Sequence, residues 1–173
     1  MKNRKSLFWP VMIGIVIIAI IIYLVASVKQ PFVTCSIRHN NDGAIIEERI
    51  TTTFNSGTIS SINYNKTITL TGKYQNVGFS KSLKSSFDKA YNYLGDAYSI
   101  KIDNNVVSVD IKLDKKVPII LDNIEVYYNE GEGMVTKIQT NTKAPGVTTL
   151  SVGDKYSEGE FMTKLKNKGY SCK

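Results

Sequence analysis

The sequence predicts an α+β protein: a single N-terminal transmembrane helix followed by an antiparallel sheet of about seven or eight strands covered by two helices. Three observations carry that prediction. The stretch Leu7 to Val28, LFWPVMIGIVIIAIIIYLVASV, runs for 22 residues without a charge. Beyond it, apolar and polar residues alternate with period two over most of the chain. From Ser80 the period changes to that of an amphipathic helix, and at Ser157 helix-start signals mark a second one.

The first element is the apolar stretch. At a rise of about 1.5 Å per residue it is long enough to cross a hydrocarbon core of about 30 Å. Lys2, Arg4 and Lys5 precede it and Lys29 follows, a bias that places the N-terminus in the cytoplasm and the rest outside. Trp9 and Tyr23 fall near its ends, where aromatic rings favour the headgroup zone. The stretch is longer than the apolar region of a cleaved signal peptide, and Val25-Ala26-Ser27 is a poor cleavage match. The expected organisation is therefore a cytoplasmic tail (1–6), an uncleaved span in the lipid bilayer (7–28) and an extracytoplasmic domain (29–173), with the protein in the cell membrane as a single-pass anchor.

The net charge of +7 divides unevenly. Four of the 22 basic residues flank the span, which leaves 18 against 15 acidic ones in the domain. They are scattered and form no run, so the basic patch that a nucleic-acid partner requires is missing. Cys35 and Cys172, at the two ends of the domain, read as a disulfide in an oxidising compartment; the alternative is two free thiols.

The strands follow in order. Phe32 to Arg38 is a short strand, and Asn40-Asn41-Asp42-Gly43 has hairpin chemistry because these residues tolerate positive φ. Ala44 to Phe54 places Ile46, Ile50 and Phe54 on one face and Glu47, Arg49, Thr51 and Thr53 on the other. After the turn Asn55-Ser56-Gly57, Thr58 to Thr71 continues the alternation through Ile62, Tyr64, Ile68 and Leu70. Leu83, Phe87, Ala90, Tyr91 and Leu94 then recur at helical spacing, giving a helix from Ser80 to Leu94 that Gly95 ends. Tyr98 to Ile102 and Val106 to Leu113 form a hairpin about Asp103-Asn104-Asn105. Val117 to Tyr128 changes parity near Asp122-Asn123, as a bulge or strand boundary does; Met134 to Thr140 is a further strand. Ser157 and Glu160 have the spacing of a capping box, and Tyr156 with Phe161 that of a hydrophobic staple, so a second helix starts there. Gly169 stops it, and Tyr170 to Lys173 returns as a strand that carries Cys172 back towards Cys35.

Two stretches resemble known families. The pattern Thr34-Cys35, Asp42-Gly43, Thr51-Thr52-Thr53-Phe54, the helix from Ser80 to Leu94 and Lys101-Ile102-Asp103-Asn104-Asn105-Val106 resembles the YehR-like family of small bacterial lipoproteins. Phe32-Val33-Thr34 before Cys35 lacks the lipobox, so lipidation of Cys35 does not carry over. Met134-Val135-Thr136-Lys137-Ile138, Gly146, Leu150-Ser151-Val152-Gly153-Asp154 and Gly169-Tyr170 look like a strand, loop and helix unit of bacterial envelope proteins. Modules similar to the β-lactamase-inhibitor and outer-membrane-assembly small lipoproteins use that unit. Those modules act by binding proteins; both resemblances imply a non-enzymatic envelope protein, and neither supplies a site.

Chemistry-bearing motifs are sparse. The one histidine, His39, is four residues from Cys35, about 13 Å along an extended strand and too far for proton transfer. There is no C-x-x-C pair for zinc. Glu47-Glu48, Glu130/Glu132 and Glu158/Glu160 do not match a calcium loop, and the nucleophile elbow, phosphate loop and dinucleotide fingerprint are missing. No catalytic, cofactor or metal residue is therefore expected. Among ten tyrosines, Tyr127 and Tyr128 are neighbours on a strand, so unless the sheet is covered on both sides one faces away from the core and is a candidate recognition residue. The expected function is a membrane-anchored extracytoplasmic protein, without enzymatic activity, that binds another envelope protein or a wall polymer. The alternative is an accessory subunit of a membrane complex, recruited through the span.

Overall fold

Strand alternation decides which way every side chain of the domain points, and the computed structural model shows the result for residues 14–18, 31–41, 43–121, 124–129, 133–138 and 148–173. The chain divides into two units, Met1–Gln30 and Pro31–Lys173. In the first, residues 14–18 are helical, and the rest of Leu7 to Val28 lies outside the described residues. Among the described residues no helix is long and apolar enough to cross a membrane. The expected single-pass anchor and the cell-membrane location built on it are corrected accordingly, while the expected bilayer contact of Leu7 to Val28 falls mostly outside the described residues.

The second unit is mostly sheet. Strands β1 (Phe32–Asn41), β2 (Ala44–Asn55), β3 (Thr58–Leu70), β4 (Tyr98–Asp103), β5 (Val106–Leu113) and β10 (Ser171–Cys172) form one six-stranded antiparallel sheet in the order β10-β1-β2-β3-β5-β4. This corrects the expected sheet of seven or eight strands. The remaining strands pair outside it: β6 (Pro118–Leu121) with β9 (Thr148–Ser151), and β7 (Ile124–Asn129) with β8 (Gly133–Ile138). Period-two alternation marks a strand but not its partner. Between β5 and β6 the exposed Asp114-Lys115-Lys116 and then Pro118, which has no N–H to donate, interrupt the ladder.

One face of the sheet is the core. Ile46, Ile50 and Phe54 of β2, Ile62, Tyr64 and Ile68 of β3 and Val107, Val109 and Ile111 of β5 are all buried. Helix α1 (Val77–Tyr91) covers the β5-β4 side through Leu83, Phe87 and Tyr91. Each such side chain contributes about 1.5–3 kcal/mol by leaving water. The helix starts three residues before the expected Ser80, because Asn76 caps it by accepting the Phe79 N–H. Ser80 is instead buried, and its hydroxyl donates to the Asn104 carbonyl at 3.1 Å. A 3-10 segment, Asn92–Ala97, follows the helix, and Gly95 within it has φ 55°.

Helix α2 (Glu158–Lys166) packs on β1 and β10, with Phe161 edge-on to Phe54 at 5.5 Å. Its start is the capping box of Ser157 and Glu160, with Tyr156 against Phe161 as the staple. Beyond it, Cys172 is disulfide-bonded to Cys35 across 137 residues of sequence. The exchange between Thr34 and Lys173, Thr34 N to Lys173 O at 3.0 Å and Lys173 N to Thr34 O at 2.9 Å, extends the same β10-β1 contact.

Candidate functional site: the polar face of the sheet

Both helices pack against the core side, so the opposite face carries the polar half of the alternation. Cross-strand register aligns Ser171, Ser36, Arg49, Asn65, Asp110 and Ser99 in one row. The neighbouring row runs Arg38, Glu47, Thr67, Ser108 and Lys101. These side chains are exposed or half-buried. Part of their hydrogen-bonding capacity is used within the face: Thr34 pairs with Thr51, Thr53 with Ser61, and the Asn65 amide donates to Asp110. Arg38 and Glu47 form an ion pair at 3.0 Å, but both are more than half exposed, which limits it to about 1 kcal/mol or less.

Arg49 is different. It is exposed and makes no ion pair among the described residues. Two shallow depressions meet at it. One, of about 580 Å3, reaches towards Arg38, Glu47, Asn65 and Thr67; the other, of about 280 Å3, towards Thr34 and Lys173. Ser36 and Ser171 line both. A guanidinium with five fixed donors, set among hydroxyls and an amide, suits the carboxylate, phosphate or carbonyl groups of an extended partner.

At the end of the same face, Ser61, Asn63 and Lys112 run into a cleft of about 610 Å3, whose far wall is the 3-10 segment with Tyr93 and Asp96. Tyr93 is 55% exposed and its hydroxyl donates to the Pro118 carbonyl at 2.8 Å.

The core side of the sheet also holds charge. Glu48 and Lys66 are 5% and 4% exposed, and Lys66 Nζ lies 2.9 Å from Glu48 Oε1. Glu48 Oε2 accepts hydrogen bonds from the hydroxyls of Tyr64 (3.1 Å) and Tyr170 (2.8 Å). Burial alone raises the Glu48 pKa; the Lys66 charge and the bonds from Lys66, Tyr170 and Tyr64 outweigh it and hold the carboxyl below its usual value. Burial, with Glu48 beside it, pushes the Tyr64 hydroxyl well up. Both oxygens of the carboxylate are thus engaged inside the core, and the cluster binds β2, β3 and the approach to β10 to one another.

Of the residues singled out from the sequence, Cys35 and Cys172 are brought together as a disulfide. Tyr127 and Tyr128 lie on β7 opposite Val135 and Met134, in a two-stranded sheet separate from the six-stranded one, and their side chains lie outside the described residues. His39 is exposed on β1, and Cys35 beside it in sequence is tied up in the disulfide. Glu158 and Glu160 occupy the start of α2, Glu47 and Glu48 point to opposite faces, and Glu130 and Glu132 are outside the described residues. Among the described residues no group of three or more His, Cys, Asp or Glu side chains could hold a metal ion. Sequence reasoning missed Glu48 and Lys66, although each sits at a core-parity position between buried apolar neighbours. It also missed Arg49 and Tyr93, whose significance comes from strand register and chain reversal.

Comparison with protein-family models, with curated proteins and with solved structures finds no match to this chain.

Proposed function

We propose that the domain is a non-catalytic binding module that holds an extended partner, an envelope protein or a wall polymer, on the polar face of its six-stranded sheet. The observation that carries this reading is Arg49: an exposed guanidinium without an ion-pair partner among the described residues, at the meeting point of two depressions on the face that both helices leave uncovered. The charged cluster of Glu48 and Lys66 does not compete with it as a reaction centre. Both oxygens of its carboxylate are engaged by Lys66, Tyr64 and Tyr170, and both charged side chains are all but closed to solvent.

The test is sedimentation of the full chain with purified bacterial wall sacculi, before and after the sacculi are stripped of protein by protease. The wild-type chain is expected to pellet and the Arg49→Glu variant to remain in the supernatant. Loss of pelleting after protease treatment assigns the partner as protein, and retention assigns it as polymer. Absence of wild-type pelleting, or equal pelleting of both chains, overturns the reading.

A further inference from the structure

The cleft at the end of the polar face has a composition that the rest of the face lacks. Tyr93, 55% exposed as a residue, stands on one wall, and its hydroxyl donates to the Pro118 carbonyl at 2.8 Å. A ring tethered at its tip keeps one orientation while the residue stays more than half exposed. Around it are two carboxylates, Asp96 and Asp114, and two ammonium groups, Lys112 and Lys115. All four are exposed, and none forms an ion pair among the described residues although they share one cleft.

That set discriminates between ligand classes. An anion or a cation would be attracted by one pair of these groups and repelled by the other. A wholly apolar ligand would strip water from four charges and return no hydrogen bond, which is costly. A neutral polyhydroxylated ring meets both demands. Its hydroxyls donate to carboxylates and accept from ammonium groups, and such charge-assisted bonds are roughly twice as strong as neutral ones. Its apolar C–H face lies flat on an aromatic ring that has one apolar face exposed and one polar end satisfied. The volume of about 610 Å3 falls within the range of about 300–1,000 Å3 in which small-molecule sites occur.

We infer that this cleft is a saccharide subsite, with Tyr93 as the stacking platform and Asp96, Asp114, Lys112 and Lys115 as the hydroxyl-binding groups. The inference rests on the reading of the polar face as a binding surface, because Ser61, Asn63 and Lys112 belong to both, and it narrows the partner to a glycan. Tyr93 fixes where one sugar ring sits, and the sheet face gives the chain beyond it a polar track.

Isothermal titration of the full chain with two neutral oligosaccharides, chitotetraose and cellotetraose, tests it. At least one is expected to bind below about 10 mM, and Tyr93→Ala to weaken it about tenfold, the loss of a stacking contact. Tyr93→Phe, which keeps the ring and drops only the tether, is expected to stay within about threefold of wild type. Circular dichroism and the thermal midpoint of each variant establish that it is folded. No binding of either sugar, or equal binding by wild type and folded Tyr93→Ala, overturns the inference. The sedimentation assay separates the two readings: if Arg49→Glu abolishes pelleting and Tyr93→Ala leaves both pelleting and sugar titration unchanged, the sheet-face reading stands and the saccharide subsite falls.

Discussion

Glu48 on β2 and Lys66 on β3 are directly opposed in the antiparallel register, and they bring a carboxylate and an ammonium to 2.9 Å in the middle of an apolar sheet face. On either side of them in the same strands are Ile46, Ile50, Tyr64 and Ile68, all buried. A one-residue slip of β2 against β3 would separate the charges and send one set of side chains to the wrong face, so the pair marks one register as the satisfied one.

Removal of a single member is therefore expected to be severe. Lys66→Met leaves Glu48 buried with two hydroxyl donors and no cation, and should destabilise the domain by about 3–5 kcal/mol. The double variant Glu48→Leu/Lys66→Met should recover most of that loss, because two apolar side chains need no partner. Urea unfolding of the two single variants and the double variant gives the coupling directly.

The same pair sets a pH dependence. The folded pKa of Glu48 lies below its ordinary value of 4.5, so the fold favours the ionised carboxylate. Its stabilisation is present above pH 4.5 and is lost as pH falls through the folded value. Urea midpoints should thus hold steady from neutral pH to about 5 and decline below about 4.5, with Glu48→Gln losing that part of the decline. Tyr64, raised by burial, works at the other end: its contribution is full below its ordinary value of 10 and is lost as pH climbs beyond it.

Thr52 offers a gain. It is fully buried on the core side of β2, and its Oγ1 has no hydrogen-bond partner among the described residues. Thr52→Val removes the unmatched hydroxyl at nearly constant shape and should stabilise the domain by about 1 kcal/mol, read as a shift in urea midpoint without a change of slope.

Ser157 caps α2 through its hydroxyl, which accepts the Glu160 N–H at 3.2 Å. Ser157→Ala should cost about 1 kcal/mol. Because α2 packs on β1 and β10, hydrogen exchange should quicken in the amides of both the helix and β10.

What was legible in the sequence follows from the range over which each signal acts. The capping box of α2 was legible because its two residues are three apart and meet within one turn. The hairpin of β4 and β5 was legible for the same reason, its turn being two residues long. Helical spacing places the start of α1 near Ser80 because the apolar repeat begins only at Leu83, whereas the cap Asn76 lies before Val77-Gly78, outside that repeat. The ribbons β6-β9 and β7-β8 could not be told from members of the main sheet, since alternation reports a half-buried strand and says nothing of its neighbour. Glu48 and Lys66 look like ordinary surface charges until the register sets them opposite one another. Arg49 and Tyr93 gain their setting only from residues far away in sequence, such as Ser171 and Pro118.

The bond between Cys35 and Cys172 has a mechanical consequence. Tension applied to the chain at Pro31 and Lys173 enters at Cys35, crosses the sulfur–sulfur bond and leaves at Cys172, so the strands and helices between them, 136 residues of backbone, carry none of it. Pulled from its ends, the oxidised domain should behave as an inextensible link, and the reduced one should unravel with the contour length of the whole sheet released.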